Sequence, residues 1–145
     1  MLIIDANVLL YAANASAPQH LASREWLLHQ LREGTEVVGM PWTSLLAFLR
    51  IATNRQLFTE ALSVDEATGL VRSWLDHPRV VTPEPSPRHL DVLAGLLSAS
   101  GSAANLTSDA HLAALALEVN GTVVSFDRDF ARFSVKTLVP QIPER

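Results

Sequence analysis

The sequence predicts an α/β fold, a three-layer α/β/α sandwich around a mainly parallel central sheet. Short apolar runs of strand length recur along the chain: Leu2–Ile4, Glu36–Met40, Arg79–Thr82, Thr122–Phe126 and Val135–Val139. The segments between them carry apolar residues at helical spacing. Strands that alternate with helices run parallel and are covered on both faces. Asp5 and Asp127 each stand just after such a run. In open parallel sheets, ligands gather at the carboxyl ends of strands, near the point where strand order reverses, so these two acids are expected to meet on one edge.

Leu2-Ile3-Ile4 is continuous, as a strand buried on both faces requires, and Asp5-Ala6-Asn7 after it reads as a helix start. Leu21, Trp26, Leu27, Leu28 and Leu31 give a helix from about Pro18 to Arg32, with Gly34 placed to end it. A second strand over Glu36–Met40 leads into a helix from Pro41 to Asn54, with Arg50 and Arg55 at the end that favours cations. Ser63-Val64-Asp65-Glu66 has the spacing of a capping box and opens a helix through Leu75. After the strand Arg79–Thr82 and a proline-rich loop, Ser86-Pro87 fits the N-cap and first position of a helix through Leu97. Ser98–Ala104 reads as a flexible loop. The remaining elements are a helix from Leu106 to Val119, a strand Thr122–Phe126, a short helix Asp127–Phe133 and a last strand Val135–Val139.

The 145 residues suit one domain with one core, expected to span residues 1–145. With 48% hydrophobic and 18% charged residues, the chain has an apolar surplus that points to a partner surface. Trp26, Trp42 and Trp74 are candidates to line it, although aromatics on amphipathic helices usually face inward. Met1-Leu2-Ile3-Ile4-Asp5 is neither a signal peptide nor an anchor, and no apolar run reaches membrane-spanning length. A soluble, cytoplasmic protein is expected. The absence of cysteine excludes disulfides, thiolate metal sites and cysteine nucleophiles, and leaves a hard cation as the natural cofactor. A net charge of −4 argues against a broad basic nucleic-acid surface, but not against an enzyme acting on nucleic acid.

The chemistry must lie with the acids. Asp5 and Asp127 serve equally well as helix caps, and Asp129 as a first-turn acid favoured by the dipole. A phosphatase of the haloacid-dehalogenase type needs a second acid two residues after the first; here that position is Asn7. Asp109 shares a helical stripe with Leu112, Ala113 and Ala116, at the start of a face that looks buried, and Asn105, Thr107 and Ser108 are available to cap in its place. His111 points away from Asp109 and reads as an ordinary surface or core histidine, and Glu118 as a solvated charge. Three carboxylates about 5 Å apart repel by roughly 3 kcal/mol per pair at an effective dielectric near 20. A divalent cation removes that cost, activates water and neutralises charge on a phosphoryl transition state. The expected reaction is phosphodiester hydrolysis.

Ile4-Asp5-Ala6-Asn7-Val8-Leu9-Leu10-Tyr11, Thr53-Asn54-Arg55, Asp109–Ala116 and Ser125–Phe133 together resemble a PIN-domain toxin of the VapC family, over essentially the whole chain. The resemblance implies a PIN-like sandwich and a metal-dependent endoribonuclease that cuts tRNA or rRNA. It also implies a homodimer held inactive by a cognate antitoxin, in a type II toxin–antitoxin pair. By resemblance, Asp5, Asp109 and Asp127 bind Mg²⁺, for which Mn²⁺ substitutes, while Asn7, Asn105 and Ser125 orient these carboxylates. Arg128 and Arg132 are candidates to contact RNA phosphate. The family usually carries a Glu in the third helix, whereas this chain has Ala47 and Phe48 there. That departure keeps open a catalytically degenerate PIN fold that binds RNA or a protein partner. A DNA-directed nuclease is the remaining alternative, disfavoured by the small size.

Overall fold

A computed structural model describes residues 1–101 and 104–145. Five strands, β1 (Leu2–Ile4), β2 (Val38–Gly39), β3 (Val80–Val81), β4 (Thr122–Val124) and β5 (Lys136–Leu138), form one sheet in the order β3-β2-β1-β4-β5. All four pairings are parallel. Each strand lies inside the apolar run that predicted it and is shorter by a residue or more at most ends.

Side-chain alternation along β1 and β4 divides the core in two. Leu2, Ile4 and Val124 face helices α1 (Ala6–Ala13), α2 (His20–Glu33), α3 (Trp42–Ala52) and α4 (Val64–Leu75), where they pack with Leu9, Leu27, Phe48 and Trp74. Ile3 and Val123 point to the other face. There they pack under α6 (Thr107–Glu118) and a 3-10 helix (Arg128–Phe133), against Ala113, Leu115, Phe130 and Phe133. Leu93, Leu96 and Leu97 of α5 (His89–Ser100) close that layer. Helices therefore cover both faces of the sheet, as strand–helix alternation demanded.

The capping box at Ser63 forms as expected: Ser63 Oγ accepts from the Glu66 amide at 3.0 Å, and Glu66 Oε1 from the Ser63 amide at 3.1 Å. Gly34 ends α2 as expected, at a position where a Cβ would stand 2.5 Å from the Gln30 carbonyl oxygen. Two expected helix starts move. The hydroxyl of Ser86 donates to Glu118 and also accepts from the Arg88 amide at 3.1 Å, so it caps the turn that leads into α5, and the helix itself begins two residues later than expected, at His89 behind Arg88. Leu106 occupies the N-cap of α6, and Asn105, Thr107 and Ser108 make no capping bond. The 3-10 turn Ala104–Leu106 delivers the chain already in helical geometry, without the extended residue that side-chain capping needs. Of the expected loop Ser98–Ala104, positions 98–100 belong to α5 and Gly101 ends it at φ 73°, while 102 and 103 lie outside the described residues.

Trp26 and Trp74 are core residues, but Trp42 is 46% exposed beside Leu46 at 58%, one turn along the same face of α3. Among the described residues, no helix is long and apolar enough to cross a membrane.

Candidate active site

The sheet order reverses direction between β1 and β4, which are neighbours although about 120 residues separate them in sequence. Their carboxyl ends deliver Asp5 and the segment Ser125–Asp127 side by side, and the Asp5 amide continues the pairing by donating to the Val124 carbonyl at 3.0 Å. Asp5 lies at the N-cap of α1 and accepts from the Ala6 amide through Oδ1 at 2.7 Å. Asp127 caps the following 3-10 helix, its Oδ1 accepting from the Asp129 amide at 2.8 Å. Both acids are thus caps, and each cap engages one carboxylate oxygen.

Ser125 joins the two. Its hydroxyl, 4% exposed, donates to Asp5 Oδ2 at 2.7 Å and accepts from Asn7 Nδ2 at 3.0 Å and from the Asp127 amide at 2.9 Å. Asn7 completes the frame, since its Oδ1 accepts from the Phe126 amide at 3.2 Å. One hydroxyl therefore fixes a carboxylate of α1 relative to the chain leaving β4. Across the frame, Tyr11 of α1 meets Phe126 edge to face, with ring centroids 5.2 Å apart.

Asp109 enters from the first turn of α6 and is half-buried. Its carboxyl is pushed up from 3.8 to about 6, first by burial and then by the negative charges of Asp5, Asp127 and Asp129, with Arg132 opposing. Asp5 is also raised, mainly by burial and in small part by Asp127, although the hydrogen bonds from Ser125 and Ala6 pull the other way. Four acids thus share one field at the carboxyl edge. Asp127 and Asp129 are exposed, and Arg132 pairs with Asp129 at 3.6 Å.

Other expected residues stand apart. Asn105 is exposed on the turn before α6 and makes no hydrogen bond to any of these carboxylates. Arg128 is exposed on the 3-10 helix. Glu118 is not a solvated charge: its carboxylate accepts from Ser86 and pairs with His89 at 2.9 Å, and His89 in turn meets His111 at 2.9 Å. Glu118 and His111 are seven residues apart, hence on one helix face, and that spacing was the available signal.

A family model described as the PIN domain matches residues 2–136. Ribonuclease VapC37 of Mycobacterium tuberculosis (strain ATCC 25618 / H37Rv) is 47% identical over 133 residues, 92% of each chain. Ribonuclease VapC33 of Mycobacterium tuberculosis (strain CDC 1551 / Oshkosh) is 40% identical over 134 residues, 92% of this chain and 93% of its own. The chain belongs to the VapC family of PIN-domain ribonucleases.

Solved VapC structures share the fold at low identity. Mycobacterium tuberculosis VapC20, a sarcin-ricin loop cleaving toxin, superposes with a TM-score of 0.68 at 14% identity over 93% of this chain and 96% of its own. VapBC2 from Rickettsia felis, bound to a DNA fragment from its promoter, gives 0.67 at 13% identity over 95% and 97%. The acid that the resemblance led us to expect on the third helix is absent from α3, where Ala47 is half-buried and Phe48 fully buried in the core.

The remaining donors of this VapC site are carboxylate oxygens, which suit a hard divalent cation rather than a soft one. Beyond the cap on Oδ1, Asp127 leaves Oδ2 without a hydrogen bond from the described residues, and Asp109 carries a carboxylate that its neighbours repel. No three acidic or histidine side chains among the described residues close around one point as they stand. Mg²⁺ does not require this, because it keeps several waters and takes only one or two carboxylates directly. The residues present therefore fit the ion.

Proposed function

We propose that this chain is the toxin of a type II toxin–antitoxin pair, a metal-dependent endoribonuclease that hydrolyses phosphodiester bonds in tRNA or rRNA. The observation that carries the reading is the meeting of Asp5, Asp127 and Asp109 at the carboxyl edge where strand order reverses, in a chain of the VapC family.

Asp5, Asp109 and Asp127 would hold Mg²⁺, or Mn²⁺ in its place, and are the catalytic residues of this reading. Bound there, the ion lowers the pKa of a water and neutralises charge developing on phosphate. The protein's part is to keep the carboxylates aimed. Ser125 and Asn7 hold the Asp5 and Asp127 segments in register through the hydrogen bonds described above. Asp129 supplies negative charge at the rim, where Arg132 is available to approach substrate phosphate. The RNA is read by shape and by bases splayed from loops, which requires no broad basic face and accords with the net charge of −4.

A cognate antitoxin and a homodimer belong to the same reading, as does action in the cytoplasm. The exposed pair Trp42 and Leu46 supplies apolar surface of the kind that partner contacts cover. A single mass corresponding to the monomer, by size exclusion with light scattering at micromolar concentration, would remove the homodimer.

The deciding experiment digests total cellular RNA with the purified protein and Mg²⁺, beside EDTA and Asp5→Ala controls. Discrete fragments that vanish in both controls are expected. The missing acid at Ala47 and Phe48 favours one competing reading, a degenerate binding module. Intact RNA together with no Mg²⁺-dependent rise in melting temperature would favour that module.

A further inference from the structure

On the α5–α6 side of the sheet, a chain of four polar side chains lies outside the carboxylate site. Ser86 Oγ donates to Glu118 Oε1, His89 Nδ1 lies 2.9 Å from Glu118 Oε2, and His89 Nε2 lies 2.9 Å from His111 Nδ1. His89 is 9% exposed, and the two imidazoles meet edge to face. Burial works against the charge on Glu118, but the hydrogen bonds from Ser86 and His89 outweigh it and hold the carboxyl below its ordinary range. An anionic carboxylate can only accept, so His89 donates to it from Nδ1, and of the facing nitrogens His89 Nε2 and His111 Nδ1 one donates to the other. The contacts run unbroken from Ser86 to His111.

Its last member sits on the helical turn that carries Asp109. That turn has few other directional ties: α6 starts without a side-chain cap, and no hydrogen bond to the Asp109 carboxylate is found among the described residues. The face beneath is Ala110, Leu112 and Ala113, small or aliphatic groups whose packing is non-directional.

We propose that Ser86, Glu118, His89 and His111 form a positioning chain that ties the first turn of α6 to α5 and so holds Asp109 within the carboxylate cluster. The proposal rests on the reading of Asp109 as a metal-binding acid. His111 acts through Asp109 and is a positioning residue, not a catalytic one.

Mg²⁺ affinity by titration calorimetry and amide hydrogen exchange of the metal-free protein test the proposal together, on wild type, His111→Ala, His111→Asn and Glu118→Gln. The asparagine amide offers both a donor and an acceptor near the position of imidazole Nδ1 and so restores the bond to His89. The expected result is that His111→Ala binds Mg²⁺ roughly tenfold more weakly, the effect typical of an orienting partner. Exchange should quicken at Ala110–Ala113 but not in the last turn of α6, and His111→Asn should recover both properties. Glu118→Gln keeps the shape of the chain while removing its charge, and is read in the same way if His111→Ala does not fold. A folded His111→Ala with wild-type Mg²⁺ affinity and unchanged exchange at Ala110–Ala113 overturns the proposal, even if its melting temperature falls. Should wild type neither bind Mg²⁺ nor cleave RNA, the metal reading fails by itself. The exchange contrast between His111→Ala and His111→Asn still decides whether the turn is tied.

Discussion

Ser125 governs more of the site than its size suggests, because its hydroxyl serves Asp5, Asn7 and the Asp127 amide at once. In Ser125→Ala the Asn7 amide and the Asp127 N–H lose their acceptor and Asp5 loses a donor. Groups that orient metal-binding carboxylates typically change metal affinity by roughly 10- to 100-fold. Ser125→Ala should therefore need that much more Mg²⁺ for half-maximal cleavage, and lose about 1–3 kcal/mol of stability to urea. Ser125→Thr, which keeps the hydroxyl, should restore both. If Ser125→Ala kept wild-type Mg²⁺ dependence, the hydroxyl would not be orienting Asp5. Asp109 sets the pH response. With its carboxyl pushed up to about 6, protons compete with the ion below that value and not above it. Apparent Mg²⁺ affinity should fall by about tenfold per pH unit below 6 and level off above it. Affinity that stayed flat down to pH 5 would place Asp109 outside the ion's reach.

At the scale of elements, the register of β1 against β4 determines whether Asp5 and Asp127 meet. Gly121 guards it: a Cβ there would stand 2.6 Å from the Met1 carbonyl oxygen, the group that accepts from the Thr122 amide at 3.0 Å. Gly121→Ala should force the two strand ends apart and cost about 1–3 kcal/mol, read as a lower urea midpoint with an unchanged slope. It should also lower cleavage more than an equal destabilisation made by removing the cap at Ser63, which lies far from the acids in the fold. Much of this architecture was legible, because continuous apolar runs such as Leu2–Ile4 and helical spacing such as Leu45–Phe48 are local signals. The edge that gathers Asp5 and Asp127 followed from the alternation alone. What escaped was non-local. Asn105, Thr107 and Ser108 all have capping chemistry, yet the turn Ala104–Leu106 leaves none of them in capping geometry. His89 and Glu118 are 29 residues apart in sequence, so no window along the chain couples them; the bond from Ser86 to Glu118 escaped for the same reason. Trp42 shares its helix with core residues, and only the packed fold shows its face uncovered.

For the whole molecule, the site opposes the fold that carries it. Two apolar layers, one on each face of the sheet, stabilise a domain whose net stability is expected to be only about 5–15 kcal/mol. Against them stand four acids at one edge, in a chain that is already at −4. The sign of the pH effect follows from Asp109, whose carboxyl titrates near 6 when folded and near 3.8 otherwise. Below about pH 4 both states are protonated and Asp109 contributes nothing. Between about 4 and 6 the unfolded chain releases its proton first, so stability falls as pH rises, and above about 6 the full penalty remains. Asp109→Asn removes that penalty. In EDTA the variant should melt higher than wild type at pH 7, the gap should close as pH falls towards 4, and the difference between the two curves should bend within that window. Adding Mg²⁺ should raise the melting temperature of wild type and leave Asp109→Asn nearly unmoved, since an ion stabilises a fold only by binding it. A variant that melted lower than wild type at pH 7 in EDTA would show Asp109 to be a structural acid, and the clustered charge to be no burden on the fold.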